Sequence, residues 1–221
     1  MHYLFTIICA AIFSLQVAER EPSKTALLIV DMQNDFVRKG APMEVSDAKN
    51  TIVKNKLLIA AFRKKNLPVI YTKFLATAEP SLIYQWSPKL AQPVNACKKG
   101  FRRHYADVNK ELECTDIIDE LKPDKSDIII EKFGYGAFHD TRLDSILKSL
   151  QITSLVVTGT VTQICVEETA REAFHYGYRT TVVSDAVSSF AADLHNAMLK
   201  NFAMKFGWVK NANDVVSELE R

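Results

Sequence analysis

The chain has 221 residues, 48% hydrophobic and 24% charged, with 28 basic against 26 acidic side chains and a net charge of +2. That apolar content with so little net charge excludes a mainly disordered chain, and 7 glycines and 7 prolines exclude collagen-like or linker-like sequence. The balanced charge leaves no electrostatic footprint for nucleic acid, and no run reaches the ~18 apolar residues of a membrane span.

Residues 4–15 (LFTIICAAIFSL) form an apolar run of the length found at the centre of a secretory signal. No Lys or Arg precedes it, and a cut after Ala18 would leave Gln16 where a small residue is preferred. A plain hydrophobic extension fits it equally. The protein is therefore expected to be cytoplasmic, or exported if residues 1–18 act as a signal. Residues 1–22 are set aside, and 23–221 are taken as one folded unit.

Ala26–Val30 (ALLIV) is a short continuous apolar run, the pattern of a strand buried on both faces, and it stops at Asp31. Helical spacing of Ile52, Val53, Leu57, Ala60 and Ala61 predicts a helix from Ser46, as N-cap, to Lys65, which Pro68 closes. Val69–Thr72 reads as a second strand. Residues 75–110 carry Pro80, Pro88, Pro93 and the basic stretch KKGFRRH, and read as a long connection with some helix. Beyond it, strands at Asp127–Glu131, Ser154–Thr158 and Arg179–Ser184 alternate with helices at Thr141–Leu150, Cys165–Tyr176 and Ala191–Phe206. Such alternation specifies an α/β fold: a single-domain parallel sheet with helices on both faces, a Rossmann-like three-layer αβα arrangement.

Sites in open parallel sheets form beyond the carboxyl ends of the strands. Asp31 follows ALLIV, Lys132 follows DIIIE, and GTVTQIC after SLVVT ends at Cys165. Singly, each has an ordinary reading: Asp31 as a turn residue, Lys132 as a solvated lysine, Cys165 as a small buried hydrophobe. Together they supply a nucleophile, a base and a cation. A thiol in the first turn of a helix is acidified by the helix N-terminus, and a neighbouring ammonium lowers its pKa further.

The other cysteines are Cys9 in the apolar run, and Cys97 and Cys114, which are able to pair if the protein is exported. There is no CxxC, and the five histidines (His2, His104, His139, His175, His195) lack metal-ligand spacing. No metal and no cofactor are expected. Candidate pocket walls are Phe36, Phe74, Trp86, Tyr135 and Phe138, and candidate polar contacts are Gln33, Asn34 and Gln163; core packing is the ordinary reading for the aromatics. Lys73, Arg102 and Arg103 are candidates to hold a substrate carboxylate, or form a solvated basic face.

ALLIVDMQNDFV, and the stretch from EKFGYGAF through VVTGTVTQICVEETAREAF to VVSDAVSS, resemble the isochorismatase-like cysteine hydrolase family, which includes nicotinamidases, N-carbamoylsarcosine and ureidoacrylate amidohydrolases and isochorismatase. The likeness covers most of residues 25–190 and is poor through about 73–120. It implies catalytic roles for Asp31, Lys132 and Cys165, a non-proline cis peptide between Thr160 and Val161, and an oxyanion hole from the Val161 and Cys165 N–H groups. It also implies a homo-oligomer, dimer or tetramer. The Asp-x-His-x-x-His set of the metal-dependent nicotinamidases has no counterpart in YTKFLATAEPSLIYQW, and isochorismatase proper lacks the nucleophilic cysteine. The implied activity is cysteine-dependent hydrolysis of a C–N bond in a small amide or ureide. A catalytically silent binding protein of the same fold, or a nicotinamidase-type enzyme with a non-standard site, are the alternatives.

Overall fold

The computed structural model describes residues 24–76 and 82–221; the N-terminal run and its proposed signal lie outside them. In chain order the elements are β1 (Thr25–Val30), α1 (Asn34–Val37), α2 (Ile52–Lys64), β2 (Val69–Phe74), α3 (Leu82–Trp86), β3 (Arg102–Tyr105) and β4 (Lys110–Glu113). They continue with β5 (Ile128–Lys132), α4 (Leu143–Ser149), β6 (Ser154–Thr160), α5 (Glu167–His175), β7 (Arg179–Ser188), α6 (Ala192–Lys205), β8 (Trp208–Lys210) and α7 (Ala212–Glu220). Six strands form one sheet in the order β5-β2-β1-β6-β7-β8, every pairing parallel.

The apolar run of β1 explains the three layers. Leu27 and Ile29 face a core shared with Leu58 and Phe62 of α2 and Val215 of α7. Ala26, Leu28 and Val30 face the opposite core, with Leu147 of α4, Ala170 of α5 and Phe202 of α6. Period-two alternation in a strand covered on both sides makes every position apolar.

Three features depart from the sequence reading. Helix α2 starts at Ile52, after a 3₁₀ turn at Ala48–Thr51, and Ser46 stands exposed outside it. The long connection contains an antiparallel hairpin, β3 with β4, whose strands RRHY and KELE are largely charged and part-exposed and so carry no apolar alternation. Finally, β8 and α7 close the far edge; the Asn211 side chain caps α7 by accepting the Asp214 N–H at 2.9 Å.

Cys97 and Cys114 are both buried and both free. Among the described residues no helix is long and apolar enough to cross a membrane.

Candidate active site

Register brings the carboxyl ends of β5, β2, β1 and β6 together: Phe74 lies beside Lys132, and Val30 beside Gly159. Asp31 leaves β1 in the left-handed region, at φ 49°. Its N–H donates to Thr72 Oγ1 at 3.1 Å, and the Thr72 hydroxyl donates to Asp31 Oδ1 at 2.5 Å. The other carboxylate oxygen lies 2.8 Å from Lys132 Nζ. Lys132 also donates to the Gly134 and Tyr135 carbonyls, at 3.0 and 2.8 Å, so two hydrogen bonds and one ion pair hold its ammonium.

Both members of this ion pair are fully buried. Burial opposes the ammonium charge, but Asp31 and the Cys165 sulfur outweigh it and raise the Lys132 pKa.

Cys165 sits within a π-helical turn, Thr162–Val166, between β6 and α5. The Thr160–Val161 peptide just before it is cis. The Val161 carbonyl accepts N–H bonds from Ile164 and Val166, both at 3.1 Å. The Thr162 hydroxyl donates to the Ser188 carbonyl at 2.9 Å, tying the turn to β7.

The Cys165 thiol is pushed up to about 12, chiefly by burial; Lys132 acts downward and Asp31 upward. The acidified thiol expected at a helix start is therefore corrected. Helix α5 proper begins at Glu167, two residues after the sulfur, and loss of solvent outweighs the neighbouring ammonium.

Helix α5 also fixes the loop that carries the Lys132 acceptors. Ala137 N–H donates to Thr169 Oγ1 at 3.1 Å and Phe138 N–H to Glu172 Oε2 at 3.0 Å. A Cβ on Gly136 would stand 2.2 Å from Glu172 Oε2, so a larger residue there would displace the carboxylate that holds the Phe138 N–H.

Cys165 and Val161 face a cavity of about 90 Å³, across from Phe36, Phe74 and Tyr135. Other candidates from the sequence lie elsewhere. Gln33 spends its amide on the Phe74 and Thr115 carbonyls and the Phe74 N–H. Asn34 holds the Glu113 carbonyl and Arg38. Phe138 stacks on Tyr176, with centroids 4.9 Å apart, in the core beneath α5. Gln163 accepts from Ser189 and does not line the cavity, and Trp86 is 84% exposed. The basic residues are engaged as well: Lys73 pairs with Asp116, Arg103 with buried Asp35, and Arg102 donates to the Glu111 carbonyl.

Sequence reasoning missed Thr72, Thr169 and Glu172. Thr72 was open to discovery as the polar residue of β2 that parallel pairing sets beside the start of the Asp31 turn. Among the described residues no three His, Cys, Asp or Glu side chains gather as metal ligands.

The isochorismatase domain model matches residues 25–214. The chain is 33% identical over 207 residues to ureidoacrylate amidohydrolase RutB of Pseudomonas savastanoi pv. phaseolicola, covering 88% of this chain and 83% of that protein. It is 32% identical over 209 residues to the protein of the same name from Agrobacterium fabrum, covering 88% and 89%. Among solved structures, a cysteine hydrolase from Pseudomonas syringae pv. phaseolicola 1448A superposes with a TM-score of 0.81 at 25% identity, covering 89% of this chain and 92% of that one. N-carbamoylsarcosine amidase from Thermoplasma acidophilum gives 0.71 at 28% identity, covering 86% and 97%. With nearly its whole described length matched by the domain model, the chain belongs to the isochorismatase domain family.

Proposed function

We propose that this protein is a hydrolase that cleaves the C–N bond of a small amide or ureide through an acyl-enzyme on Cys165. The observation that carries this reading is the buried Asp31–Lys132 pair, 2.8 Å apart, electrostatically coupled to a cysteine in the cavity wall. The relatives named as ureidoacrylate amidohydrolases and an N-carbamoylsarcosine amidase support the reaction class.

A thiol with a raised pKa rests protonated, so its activation is concerted with attack. The Cys165 proton passes to Asp31 as the sulfur bonds to the substrate carbonyl carbon. Lys132 holds the Asp31 carboxylate in place and offsets the negative charge building on sulfur. The N–H groups of Val161 and Cys165 receive the tetrahedral oxyanion; one such donor is typically worth on the order of 10²–10³ in turnover. When the intermediate collapses the C–N bond breaks, and Asp31 returns the proton to the departing nitrogen, released as ammonia or an amine. Asp31 then deprotonates a water, which cleaves the thioester and regenerates the thiol.

The test is an ammonia-release screen over small amides and ureides, run beside Cys165→Ala, with intact-mass analysis of rapidly quenched reactions. Turnover lost in Cys165→Ala, with an acyl adduct on the wild-type peptide holding residue 165, is the expected result. Equal rates in the two proteins overturn the covalent mechanism. Failure of every substrate to turn over favours a silent binding protein.

A further inference from the structure

We infer that the substrate's acyl side is small, apolar and uncharged: a short aliphatic carboxamide, in preference to an amide whose acyl chain ends in a carboxylate or an aromatic ring. The inference rests on the reading of Cys165 as nucleophile and names the substrate class of that same site.

The argument starts from the walls of the cavity. Besides the residues already named, it is lined by Met43, Val45, Ile83, Leu90, Ile164 and Phe190, and among the described lining residues no side chain is charged. Apart from the thiol, the polar side-chain atoms there are the Ser87 and Tyr135 hydroxyls. A carboxylate drawn into such a wall loses its hydration and gains no cation in return.

The nearby cations are all committed. Lys132 is paired with Asp31 and donates to the Gly134 and Tyr135 carbonyls. Lys73 and Arg103 hold Asp116 and Asp35. Lys89, next to Leu90, donates to the Pro42 carbonyl at 2.8 Å.

Size gives the second constraint. The cavity measures about 90 Å³, against about 150 Å³ for an apolar cavity known to hold benzene. The smaller space takes a three- or four-carbon chain more readily than a benzene ring.

The experiment compares butyramide with succinamate, which has the same chain length but ends in a carboxylate in place of a methyl, and with benzamide. The expected kcat/KM for butyramide exceeds that for succinamate by at least about 100-fold, the scale set by burying an unpaired charge. Benzamide is expected to be the poorer amide in wild type and to gain about 10-fold or more in Leu90→Ala, which enlarges the cavity.

Succinamate within 10-fold of butyramide overturns the charge argument, and benzamide matching butyramide in wild type overturns the size argument. Calorimetric binding of the same three compounds to Cys165→Ala separates this inference from the reading beneath it. If nothing is hydrolysed but butyramide binds selectively, the hydrolase reading fails and the cavity assignment stands. If the three bind alike, the cavity assignment fails.

Discussion

Thr72 Oγ1 both accepts the Asp31 N–H at 3.1 Å and donates to Asp31 Oδ1 at 2.5 Å, so one hydroxyl fixes both the backbone turn and the carboxylate of the proposed base. All of these atoms belong to fully buried residues. Thr72→Val keeps the shape and removes both bonds. Leaving a buried N–H and a carboxylate oxygen without this partner costs about 1–3 kcal/mol of stability. The carboxylate is then free to rotate away from the thiol, so kcat is expected to fall about 10-fold or more with a smaller change in KM. Chemical denaturation and steady-state kinetics on Thr72→Val and Thr72→Ser check this; Thr72→Ser should restore most of the rate. A Val variant with wild-type kcat would show that Thr72 does not position Asp31.

Lys132→Met removes the cation paired with buried Asp31. A buried carboxylate stripped of its partner costs about 3–5 kcal/mol, and the Gly134 and Tyr135 carbonyls lose their donor as well. The Cys165 thiol, on which Lys132 acts downward, should climb further. The expected outcome is a large loss of activity, a lower denaturation midpoint and alkylation of Cys165 shifted to higher pH. Overlapping alkylation–pH profiles for Lys132→Met and wild type would remove Lys132 from any role in tuning the nucleophile.

Stability should fall on the alkaline side. Cys165 is pushed up to about 12 in the fold, against about 8.5 for a free thiol. Between those values the folded state keeps a proton that the unfolded state has lost, so unfolding becomes easier as pH rises. Buried Cys97 and Cys114 are shifted the same way, Cys114 to about 12. The raised ammonium of Lys132 acts in the same direction: its stabilisation is complete below about 10.4 and is lost as pH rises through the folded value. Each thiol contributes up to about 1.4 kcal/mol per pH unit inside its window. Urea denaturation from pH 7 to 11 should show a steep decline, shallower by one thiol's share in Cys165→Ser. Parallel curves for the two proteins would place the Cys165 thiol near its ordinary pKa.

How much of this was legible in the sequence follows from which interactions are local. The buried strand ALLIV, and the placement of Asp31, Lys132 and Cys165 at or beyond the carboxyl ends of their strands, came from apolar runs and one topological rule, since parallel strands share their carboxyl edge. The hairpin of β3 and β4 escaped because its inward contacts are made by polar groups: Tyr105 and Arg103 both reach the buried Asp35 carboxylate, an arrangement no hydrophobic period signals. Gln33 and Phe138 were misplaced for a related reason. Each is near a site residue in sequence, but Gln33 is turned toward the β2 backbone and Phe138 toward Tyr176. The Thr72–Asp31 pair spans 41 positions and exists only through strand register.

Gly159 supplies the last test, because it stands where β1 and β6 meet beside the proposed site. Its φ is +107°, a conformation that L side chains rarely adopt. A Cβ there would lie 2.0 Å from the Val30 carbonyl oxygen and 2.6 Å from the Val30 nitrogen. Both obstacles are backbone, so no rotamer change relieves the clash, and Gly159→Ala must push apart the strand ends that carry Asp31 and the Thr160–Val161 peptide. The expected result is a loss of more than about 3 kcal/mol, in the range of strongly disruptive core changes, with low soluble yield. In whatever fraction folds, Cys165 should lose its burial, and its alkylation by iodoacetamide at pH 8 should accelerate. Gly177→Ala is the control: its φ is also positive, at +88°, but nothing lies within 4 Å of the added carbon, so it carries the backbone strain without the clash. If Gly159→Ala costs no more than Gly177→Ala, then close contact between Gly159 and Val30 does not set the spacing of the two strands.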